Sequence, residues 1–257
     1  INRGGMGVVY EANKLGSEVT VALKMLRHRF IYDTPIQTRF DQEAKLLEGL
    51  SHPNIVSLLD HFLAFRTRFL VLDLCDGADL FRVLRVRGPL DEATVRAVLG
   101  QVAQGVLYLH QSGVIHRDIK PGNVLVDRSG RVRLADFGLS KLLESEVPEG
   151  KAVGTPSYMP PEQFRSASVG PESDWYAIGC LMYEMLTGRI LFPAESWNRL
   201  FDRKRQSKPS DQWPQLDASR ELREMIVGAI QPKMKDRRLD LEKISRWAED
   251  VDWLFAH

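Results

Sequence analysis

The segment from His116 to Asn123 holds an acid, a base and an amide within eight residues. Asp118, Lys120 and Asn123 supply these groups, which are side chains of the kind that catalyse reactions. Short apolar runs precede and follow the segment, which predicts two strand ends around a loop. Loops on a rigid scaffold often carry catalytic groups, so we interpret this one as a candidate catalytic loop. The alternative is a solvated turn that happens to hold charges, because Pro-Gly is an ordinary turn signal.

A second carboxylate is predicted to lie beside this loop. Residues 124–126 and 131–135 read as two strands, and residues 129–130 supply a hairpin turn between them. Asp136 follows the second strand directly. The pairing therefore predicts that Asp136 lies next to Asn123.

Glycines near the start of the chain predict a hairpin that can approach a ligand closely. Gly4, Gly5 and Gly7 give the backbone its freedom, and residues 8–10 then favour a strand. Backbone N–H groups of such a hairpin can lie over phosphates. A plain glycine-rich hairpin explains the same pattern equally well.

A lysine and a glutamate form a further candidate pair. Residues 19–26 read as a strand that carries Ala22 and Lys24 on one face, where a flat ring and an anion could be accommodated. The alternative is an edge-strand lysine in solvent. Glu43 lies beside the apolar stripe of a helix predicted over residues 39–50, and a carboxylate there needs a partner. Lys24 is the obvious candidate, and a solvated glutamate is the alternative.

The composition limits the classes of partner. The chain has 257 residues, of which 44% are hydrophobic, and this is ample for a core in one or two lobes. Lys plus Arg number 35 and Asp plus Glu number 34, so the charges are nearly balanced. The net charge therefore does not indicate a nucleic acid or an anionic membrane as a partner. The basic run over residues 203–208 is accordingly predicted to be a solvated surface loop. Cys75 and Cys180 form neither a disulfide framework nor a metal-ligand spacing, which suits a reducing compartment.

No signal peptide opens the sequence, and its most apolar span, residues 175–193, is interrupted by Glu184 and Arg189. That span is predicted to be a buried helix and not a membrane span. We therefore expect a cytoplasmic domain with no membrane contact of its own, although a parent protein could be membrane-anchored. The abrupt start within a candidate motif suggests a domain cut from a longer protein, with its first strand truncated.

The first part of the sequence is strand-like and the remainder is mainly helical. Residues 55–59 and 69–74 predict strands. Asp91 can cap a long helix, and residues 175–186 are apolar nearly all round, as expected of a central buried helix. Residues 139–162 lack periodicity, which predicts a functional or mobile loop. Two regions with one ligand cleft between them is the simplest architecture.

Taken in order, these motifs resemble the signature set of the protein kinases. The resemblance runs from residue 1 to about residue 237 and implies a single α+β protein kinase domain over residues 1–257. That domain would have a small antiparallel β-rich N-lobe (1–74) with one regulatory helix, a hinge at about 73–77 and a larger, mainly helical C-lobe (78–257). The motifs that carry the resemblance are Gly4 to Val9, Val21 to Lys24, Glu43, His116 to Asn123, Asp136 to Gly138 and Pro160 to Glu162.

Further segments point to a branch of the family. Lys120 and residues 154–158 look like the serine/threonine branch. Residues 52–56, 158–163 and 173–176 are similar to eukaryotic-like serine/threonine kinases of bacteria. The resemblance therefore implies ATP and Mg²⁺ as cofactors, with Mn²⁺ as an alternative metal, and a protein as substrate.

The same resemblance implies roles at the catalytic centre. Asp118 would accept or orient the proton of the substrate hydroxyl, and Lys120 would lie near the transferring phosphoryl group. Asn123 and Asp136 would hold Mg²⁺ through oxygen ligands, which that hard ion prefers. Thr155 is also assigned to the catalytic centre.

For ATP, the resemblance implies a cleft in which Lys24, held by Glu43, binds the α- and β-phosphates. Leu72 would be the gatekeeper of that cleft and residues 73–75 its hinge. Apolar residues would sandwich the adenine, and Asp79 would contact the ribose. The residues assigned to ATP binding are Asn2, Gly4, Gly5, Gly7, Val9, Ala22, Lys24, Glu43, Leu72, Asp73, Cys75, Asp79 and Leu125.

Two structural sets are also implied. His116 and Phe137 would stack with Leu47 and Leu58, and this stack would be tied to Asp174 on the central helix. Glu162 would form a buried ion pair with Arg237, and the adjacent Arg238 is the alternative if the alignment is shifted by one residue.

The sequence departs from the family pattern at two informative places. Asn2 stands where the first glycine of the loop is usual, and asparagine tolerates positive φ, so we expect a stiffer or shifted loop with weaker ATP binding but no loss of activity. Lys151 and Val153 stand where this branch often carries threonines, so Arg117 has no phosphothreonine partner at those positions. Our hypothesis is activity that does not depend on phosphorylation at the usual sites. Phosphosite mapping on active enzyme tests it, and a required stoichiometric phosphoresidue would contradict it.

The leading function is an active serine/threonine protein kinase. One alternative is a pseudokinase or ATP-binding scaffold module of the same fold, and the presence of Lys24, Asp118, Asn123 and Asp136 argues against it. A second alternative is a small-molecule kinase, and Lys120 favours a protein substrate instead. No nucleic acid is expected as a partner, and pairing into a homodimer is left open.

Overall fold

The computed structural model of the protein describes residues 2–3, 7–16, 18–137, 156–165, 170–193, 196–208 and 216–249. Within these ranges the strands are β1 (Asn2–Arg3), β2 (Gly7–Asn13), β3 (Thr20–Leu26), β4 (Leu58–Ala64), β5 (Thr67–Asp73), β6 (Gly77–Asp79), β7 (Val124–Asp127) and β8 (Val132–Leu134). The α-helices are α1 (Thr34–Glu48), α2 (Leu80–Arg87), α3 (Glu92–Gln111), α4 (Pro171–Thr187), α5 (Trp197–Gln206), α6 (Arg220–Ala229) and α7 (Leu241–Ser245).

The N-terminal part is a five-stranded antiparallel sheet in the order β1-β2-β3-β5-β4. Helix α1 begins at Thr34 and not at residue 39 as predicted, because Asp33 accepts a hydrogen bond from the backbone N–H of Ile36 at 3.0 Å and caps it. Its apolar stripe packs on the sheet, and each large side chain buried there contributes roughly 1.5–3 kcal/mol. The shared core consists of Leu26, Ile36, Phe40, Ala44 and Leu70.

The bounds predicted for the strand at residues 55–59 are wrong. Ile55 forms only an isolated parallel bridge with Leu134, and β4 runs over Leu58–Ala64. This strand lies at the edge of the sheet with most of its side chains exposed, so it lacks the alternating burial that would mark a strand in the sequence. The strand predicted at residues 69–74 is confirmed as β5.

A second, three-stranded sheet in the order β6-β7-β8 follows. The predicted hairpin of β7 and β8 is confirmed, with Val124 opposite Leu134. Strand β6 was not predicted. A Cβ atom at Gly77 would lie 1.9 Å from the carbonyl oxygen of Val126, so only glycine allows β6 to approach β7 this closely.

The remainder of the described chain is mainly helical, which agrees with the predicted α+β class. Asp91 caps α3 as predicted, since its Oδ1 accepts a hydrogen bond from the backbone N–H of Thr94 at 3.0 Å. Helix α4 lies between α3 and α6 and is the predicted central buried helix. None of the helices in the described residues is both long and apolar enough to cross a membrane. The buried stripe of α3 consists of Val95, Val98, Leu99, Val102, Val106 and Leu109.

The prediction of a solvated loop at residues 203–208 is wrong. Residues up to Gln206 form the last turns of α5, and Lys204 is completely buried. Lys204 lies one turn after Leu200, which is also completely buried, so both side chains project from the same face of the helix. The neighbouring cations make residues 203–208 resemble a solvated basic segment, but the helical period of α5 places Lys204 on its buried face.

Candidate active site

A cavity lies between the five-stranded sheet and the second sheet. The period of two places Ala22 and Lys24 on the face of β3 that lines it, as predicted. Apolar side chains form much of the lining. Of the residues predicted to bind ATP, those that line the cavity are Val9, Ala22, Lys24, Glu43, Leu72, Asp73, Cys75, Asp79 and Leu125.

The remaining residues predicted to bind ATP are Asn2, Gly4, Gly5 and Gly7. Gly7 opens β2 opposite Leu26 and is not part of the lining, although a Cβ atom there would lie 3.2 Å from the carbonyl oxygen of Met25. Asn2 is in β1 opposite Val9. Gly4, Gly5 and the predicted catalytic Thr155 are outside the described residues, as are Lys151 and Val153.

Lys24 lies between two carboxylates that, like it, line the cavity. Its Nζ donates to Glu43 Oε1 at 2.9 Å and to Asp136 Oδ1 at 2.5 Å. The predicted pairing of Lys24 with Glu43 is therefore confirmed. Burial alone would lower the pKa of Lys24, but Asp136 and Glu43 together raise it above its ordinary value. The same lysine lowers the pKa of Asp136, so both groups are charged near neutral pH.

Asp118 is the centre of a second polar group. Its Oδ2 accepts a hydrogen bond from Lys120 Nζ at 2.7 Å and another from Asn123 Nδ2 at 2.7 Å. Burial raises the pKa of Asp118, and Lys120 opposes that rise. The result is a carboxylate held in one orientation whose basicity exceeds that of an exposed aspartate.

The two polar groups are brought together by the hairpin of β7 and β8. Asn123 immediately precedes β7, and Asp136 lies two residues after β8. The backbone N–H of Ala135 donates to the carbonyl oxygen of Asn123 at 3.0 Å. This bond confirms the prediction that Asp136 lies next to Asn123.

Two residues beside these groups have a left-handed backbone. Arg117 has φ of 66° and Asp136 has φ of 58°. A residue other than glycine in this region costs about 1–3 kcal/mol and persists only where its surroundings hold it. Asp136 is itself one of the candidate catalytic groups, and Arg117 immediately precedes another, Asp118. Backbone strain at these two positions fits a role in orienting the catalytic side chains.

Asp174, on α4, holds the backbone of the candidate catalytic loop. Its carboxylate accepts hydrogen bonds from the backbone N–H of His116 at 3.0 Å and of Arg117 at 2.9 Å. His110 Nε2 lies 2.8 Å from the same carboxylate. The ring of His116 packs on Phe137 with centroids 4.8 Å apart. The predicted link from this stack to the central helix is therefore present.

Asn123 and Asp136 are suitable ligands for a magnesium ion. Asn123 uses its Nδ2 to donate to Asp118, which leaves its oxygen as the atom for a cation. The side chain of Asp136 lines the cavity and is 49% exposed. No cluster of three or more His, Cys, Asp or Glu that could hold a metal occurs in the described ranges. Mg²⁺ is commonly held by only one or two carboxylates, because water and substrate phosphates complete its shell, so this donor set fits the ion.

Two connections around the site were not predicted from the sequence. Arg133, on β8, donates to Asp73 Oδ2 at 2.6 Å and to Asp127 Oδ2 at 3.3 Å, which ties the end of β5 to the second sheet. Gln163 donates from its Nε2 to the carbonyl oxygen of Arg117 at 3.0 Å. Gln163 lies in the segment 158–163 that resembles bacterial serine/threonine kinases but was given no role, and the only signal for Arg133 is its place in an alternating strand.

Comparison with known families decides the assignment. The chain matches the model of the protein kinase domain over residues 1–246. The chain belongs to the protein kinase family. This kinase is 33% identical to the serine/threonine-protein kinase pkn3 of Myxococcus xanthus, over 98% of this chain and 49% of that protein. It is 38% identical to the serine/threonine-protein kinase PknL of Mycobacterium tuberculosis, over 76% of this chain and 50% of that protein.

A third relative is the serine/threonine-protein kinase PrkC of Bacillus subtilis, which is 35% identical to the kinase over 76% of this chain and 31% of that protein. These relatives confirm the predicted resemblance to bacterial serine/threonine protein kinases. The antiparallel sheet and the helical remainder confirm the two-lobed kinase fold. The chain spans about half the length of pkn3 and PknL.

Proposed function

We propose that the kinase transfers the γ-phosphoryl group of ATP to serine or threonine hydroxyls of protein substrates, with Asp118 as the base. The observation that carries this proposal is the contact of Lys120 and Asn123 with one carboxylate oxygen of Asp118. The raised pKa of Asp118 and its fixed orientation suit a group that accepts a proton from a hydroxyl. Lys120, 2.7 Å away, would stabilise negative charge that develops on the phosphoryl group.

The cavity supports binding of ATP with its phosphates toward Lys24. Val9 and Ala22 on one side and Leu125 on the other offer apolar surface for a flat base. Lys24 is positively charged and supplies a donor for phosphate oxygens, while Glu43 keeps its Nζ in place. Asp79 also lines the cavity, and its carboxylate could accept a hydrogen bond from a ribose hydroxyl.

Asn123 and Asp136 would hold the magnesium ion. When bound, Mg²⁺ neutralises charge on the phosphate oxygens and helps to orient them. Two side chains orient Asp118, which faces the substrate hydroxyl in this proposal. Asn123 donates to the carboxylate of Asp118, and Asp174 accepts from the backbone N–H of the preceding residue, Arg117. Positioning and charge stabilisation are the main contributions that a protein makes to phosphoryl transfer.

We also propose that the chain is one kinase domain with an N-lobe at residues 1–74, a hinge at about 73–77 and a C-lobe at 78–257. The position of the cavity between the two sheets supports this division. The ion pair of Arg133 with Asp73 crosses the proposed hinge and would limit how far the lobes separate.

We place the domain in the cytoplasm with proteins as its partners.

The metal dependence of transfer tests the proposal. Incubation with Mg-ATP and a generic protein substrate is expected to give phosphoserine or phosphothreonine by mass spectrometry, and chelation of the divalent metal should reduce transfer to background. Asp136→Asn should raise the Mg²⁺ concentration for half-maximal rate, because a neutral amide binds Mg²⁺ more weakly than a carboxylate does.

Asp76→Asn is the matched control, since Asp76 is an exposed carboxylate whose side chain is 76% exposed. Its Mg²⁺ dependence should equal that of the wild type. Transfer that persists without a divalent metal, or an Asp136→Asn protein with wild-type metal dependence, would contradict the proposed metal site.

The acid limb of the rate profile is expected to respond to Lys120. Only the deprotonated carboxylate of Asp118 can accept a proton, so kcat/KM should fall as pH falls through the pKa of Asp118, which burial holds above its ordinary value. Lys120 lowers that pKa, so Lys120→Ala should raise it and move the acid limb to higher pH. The limb is measured over the pH range in which circular dichroism shows the protein folded.

Lys45→Ala, which removes an exposed lysine from α1, should leave the acid limb in place. An acid limb that does not move in Lys120→Ala, or that moves to lower pH, would show that Asp118 is not the group that titrates.

A further inference from the structure

Lys204 carries a buried ammonium group that belongs to none of the polar groups described above. It lies on α5, and its side chain is completely buried. Its Nζ donates to the carbonyl oxygens of Pro156, Ser157 and Met159, each at 2.7 Å. These three bonds use all three donors that an ammonium group has.

Aromatic rings complete the surroundings of this ammonium. Its Nζ lies 5.0 Å from the ring centroid of Phe192, 5.3 Å from that of Tyr176 and 5.6 Å from that of Phe164. Burial lowers the pKa of Lys204 to about 7. The three carbonyl oxygens and the ring faces favour the charged form, because both interact with a cation more strongly than with a neutral amine.

The three carbonyl oxygens belong to one short segment, residues 156–159, which we call the anchored segment. Three carbonyls within four residues can meet at one point only if the backbone curls around that point. The ammonium therefore helps to hold the curl, together with the hydrogen bond from the backbone N–H of Met159 to the carbonyl oxygen of Pro156 at 3.2 Å. Removing the ammonium would leave all three buried acceptors without that donor. The side chain of Tyr158 is held separately by a hydrogen bond to Glu184.

The anchored segment is connected to the catalytic loop and not to the nucleotide cavity. Gln163, four residues after Met159, donates to the carbonyl oxygen of Arg117, the residue before Asp118. None of residues 156–165 lines the cavity proposed to bind ATP. A protein substrate extends about 3.3 Å per residue on either side of its hydroxyl, so it must pass over the surface that flanks Asp118. ATP bound in the nucleotide cavity does not need to contact that surface.

We propose that Lys204 is a positioning residue for the protein substrate. It acts through the backbone of the anchored segment, which in turn fixes the acceptor side of the catalytic loop through Gln163. This inference rests on the proposed function, since it assumes that a protein hydroxyl reacts at Asp118. It assigns to α5 a contribution to substrate use that is separate from nucleotide binding.

Lys204→Met tests the inference, because methionine keeps an unbranched apolar chain among the rings and removes the three donors. The expected result is a fall of about 10–100-fold in kcat/KM for a protein substrate, the size of effect that a misplacement of about 1 Å causes. The Kd for ATP should stay within about twofold, since the nucleotide cavity is untouched.

Arg205→Met is the matched control, since it removes a neighbouring but exposed cation from the same helix, and it should behave as wild type in both measurements. Gln163→Met is the second variant, and it cuts the connection to Arg117 without removing a charge. It should show the same selective loss as Lys204→Met, and it carries the test if Lys204→Met does not fold.

The outcomes separate cleanly. Selective loss of protein phosphorylation in Lys204→Met and Gln163→Met supports the inference. Unchanged kcat/KM in either folded variant, or an equal loss of ATP affinity and of transfer, overturns it and leaves the proposed function standing. If the wild-type protein binds ATP but transfers no phosphate to protein, the proposed function and the inference both fail.

Discussion

Replacing Asp118 by alanine is expected to lower kcat for transfer to a protein substrate by roughly 10²–10⁴-fold, the range for loss of a general base. At about 1.36 kcal/mol for each factor of ten, this is about 3–5 kcal/mol of transition-state stabilisation. We expect an effect of this size because Lys120 and Asn123 both donate to Oδ2 of Asp118 and hold the carboxylate in one orientation. Initial rates at saturating Mg-ATP measure kcat, and titration with a fluorescent nucleotide measures the Kd for ATP.

The nucleotide affinity of Asp118→Ala should stay close to that of the wild type, because Asp118 is not among the residues that line the nucleotide cavity. Asp118→Asn keeps the shape of the side chain and removes most of its basicity, so it should be nearly as slow. Asp60→Ala, which removes an exposed carboxylate from β4, is the control and should keep the wild-type rate. Wild-type kcat in Asp118→Asn would rule out Asp118 as the base.

Replacing Arg237 by methionine is expected to destabilise the fold by about 3–5 kcal/mol, the cost of leaving a buried ion pair without one partner. Arg237 is completely buried, and it donates to both carboxylate oxygens of Glu162 at 2.7 and 2.8 Å. Its remaining donors bond to the carbonyl oxygens of Gln231, Pro232 and Glu172. The loss would remove a donor from each of these acceptors at once, although Glu162 Oε1 would keep its hydrogen bond from Ser173 Oγ. For a chain of this length the expected fall in Tm is about 6–20 °C.

Arg238→Met is the matched control, because Arg238 is adjacent and exposed, and its effect should stay within about 0.5 kcal/mol. Adding Glu162→Gln to Arg237→Met removes the stranded charge, so the double variant should lose less stability than the two single variants together. The coupling expected for such contacting residues is about 0.5–3 kcal/mol. Additive losses, or equal effects of Arg237→Met and Arg238→Met, would contradict the buried ion pair.

The choice between Arg237 and Arg238 illustrates what a linear sequence leaves open. Both residues are arginines, and a resemblance that is uncertain by one position admits either as the partner of Glu162. The structure decides for Arg237, because its guanidinium lies over the ring of Tyr176 at 4.9 Å and within reach of Glu162, whereas Arg238 is exposed. Successive residues point in different directions, so a shift of one position exchanges a buried side chain for a solvated one.

Lys204 illustrates the opposite case, in which composition misled. Counted with its neighbours it is one of several surface cations, and a basic run is usually solvated. Its burial depends on the face of α5 that meets the anchored segment, and on the carbonyl oxygens that this segment turns toward it. No pattern within the run carries that information, because the acceptors lie more than forty residues earlier in the chain.

Residue types and spacing were enough to predict the features that depend on neighbours along the chain. These are the cap of α3 at Asp91, the hairpin that places Asp136 beside Asn123, and the face shared by Ala22 and Lys24. Caps, turns and alternating faces are local, so residue types and spacing are sufficient to specify them. The motif set then specified the family.

Most contacts between distant groups became known only from the folded structure. It added Asp136 to the predicted pair of Lys24 and Glu43, tied Arg133 to Asp73, settled Arg237 over Arg238 and buried Lys204 among three carbonyl oxygens. Such contacts depend on how whole elements pack, and packing follows from the summed burial of many side chains and not from any single spacing. That is why the candidate catalytic loop could be found from eight consecutive residues, whereas the contacts of Gln163 and Lys204 that support it could not.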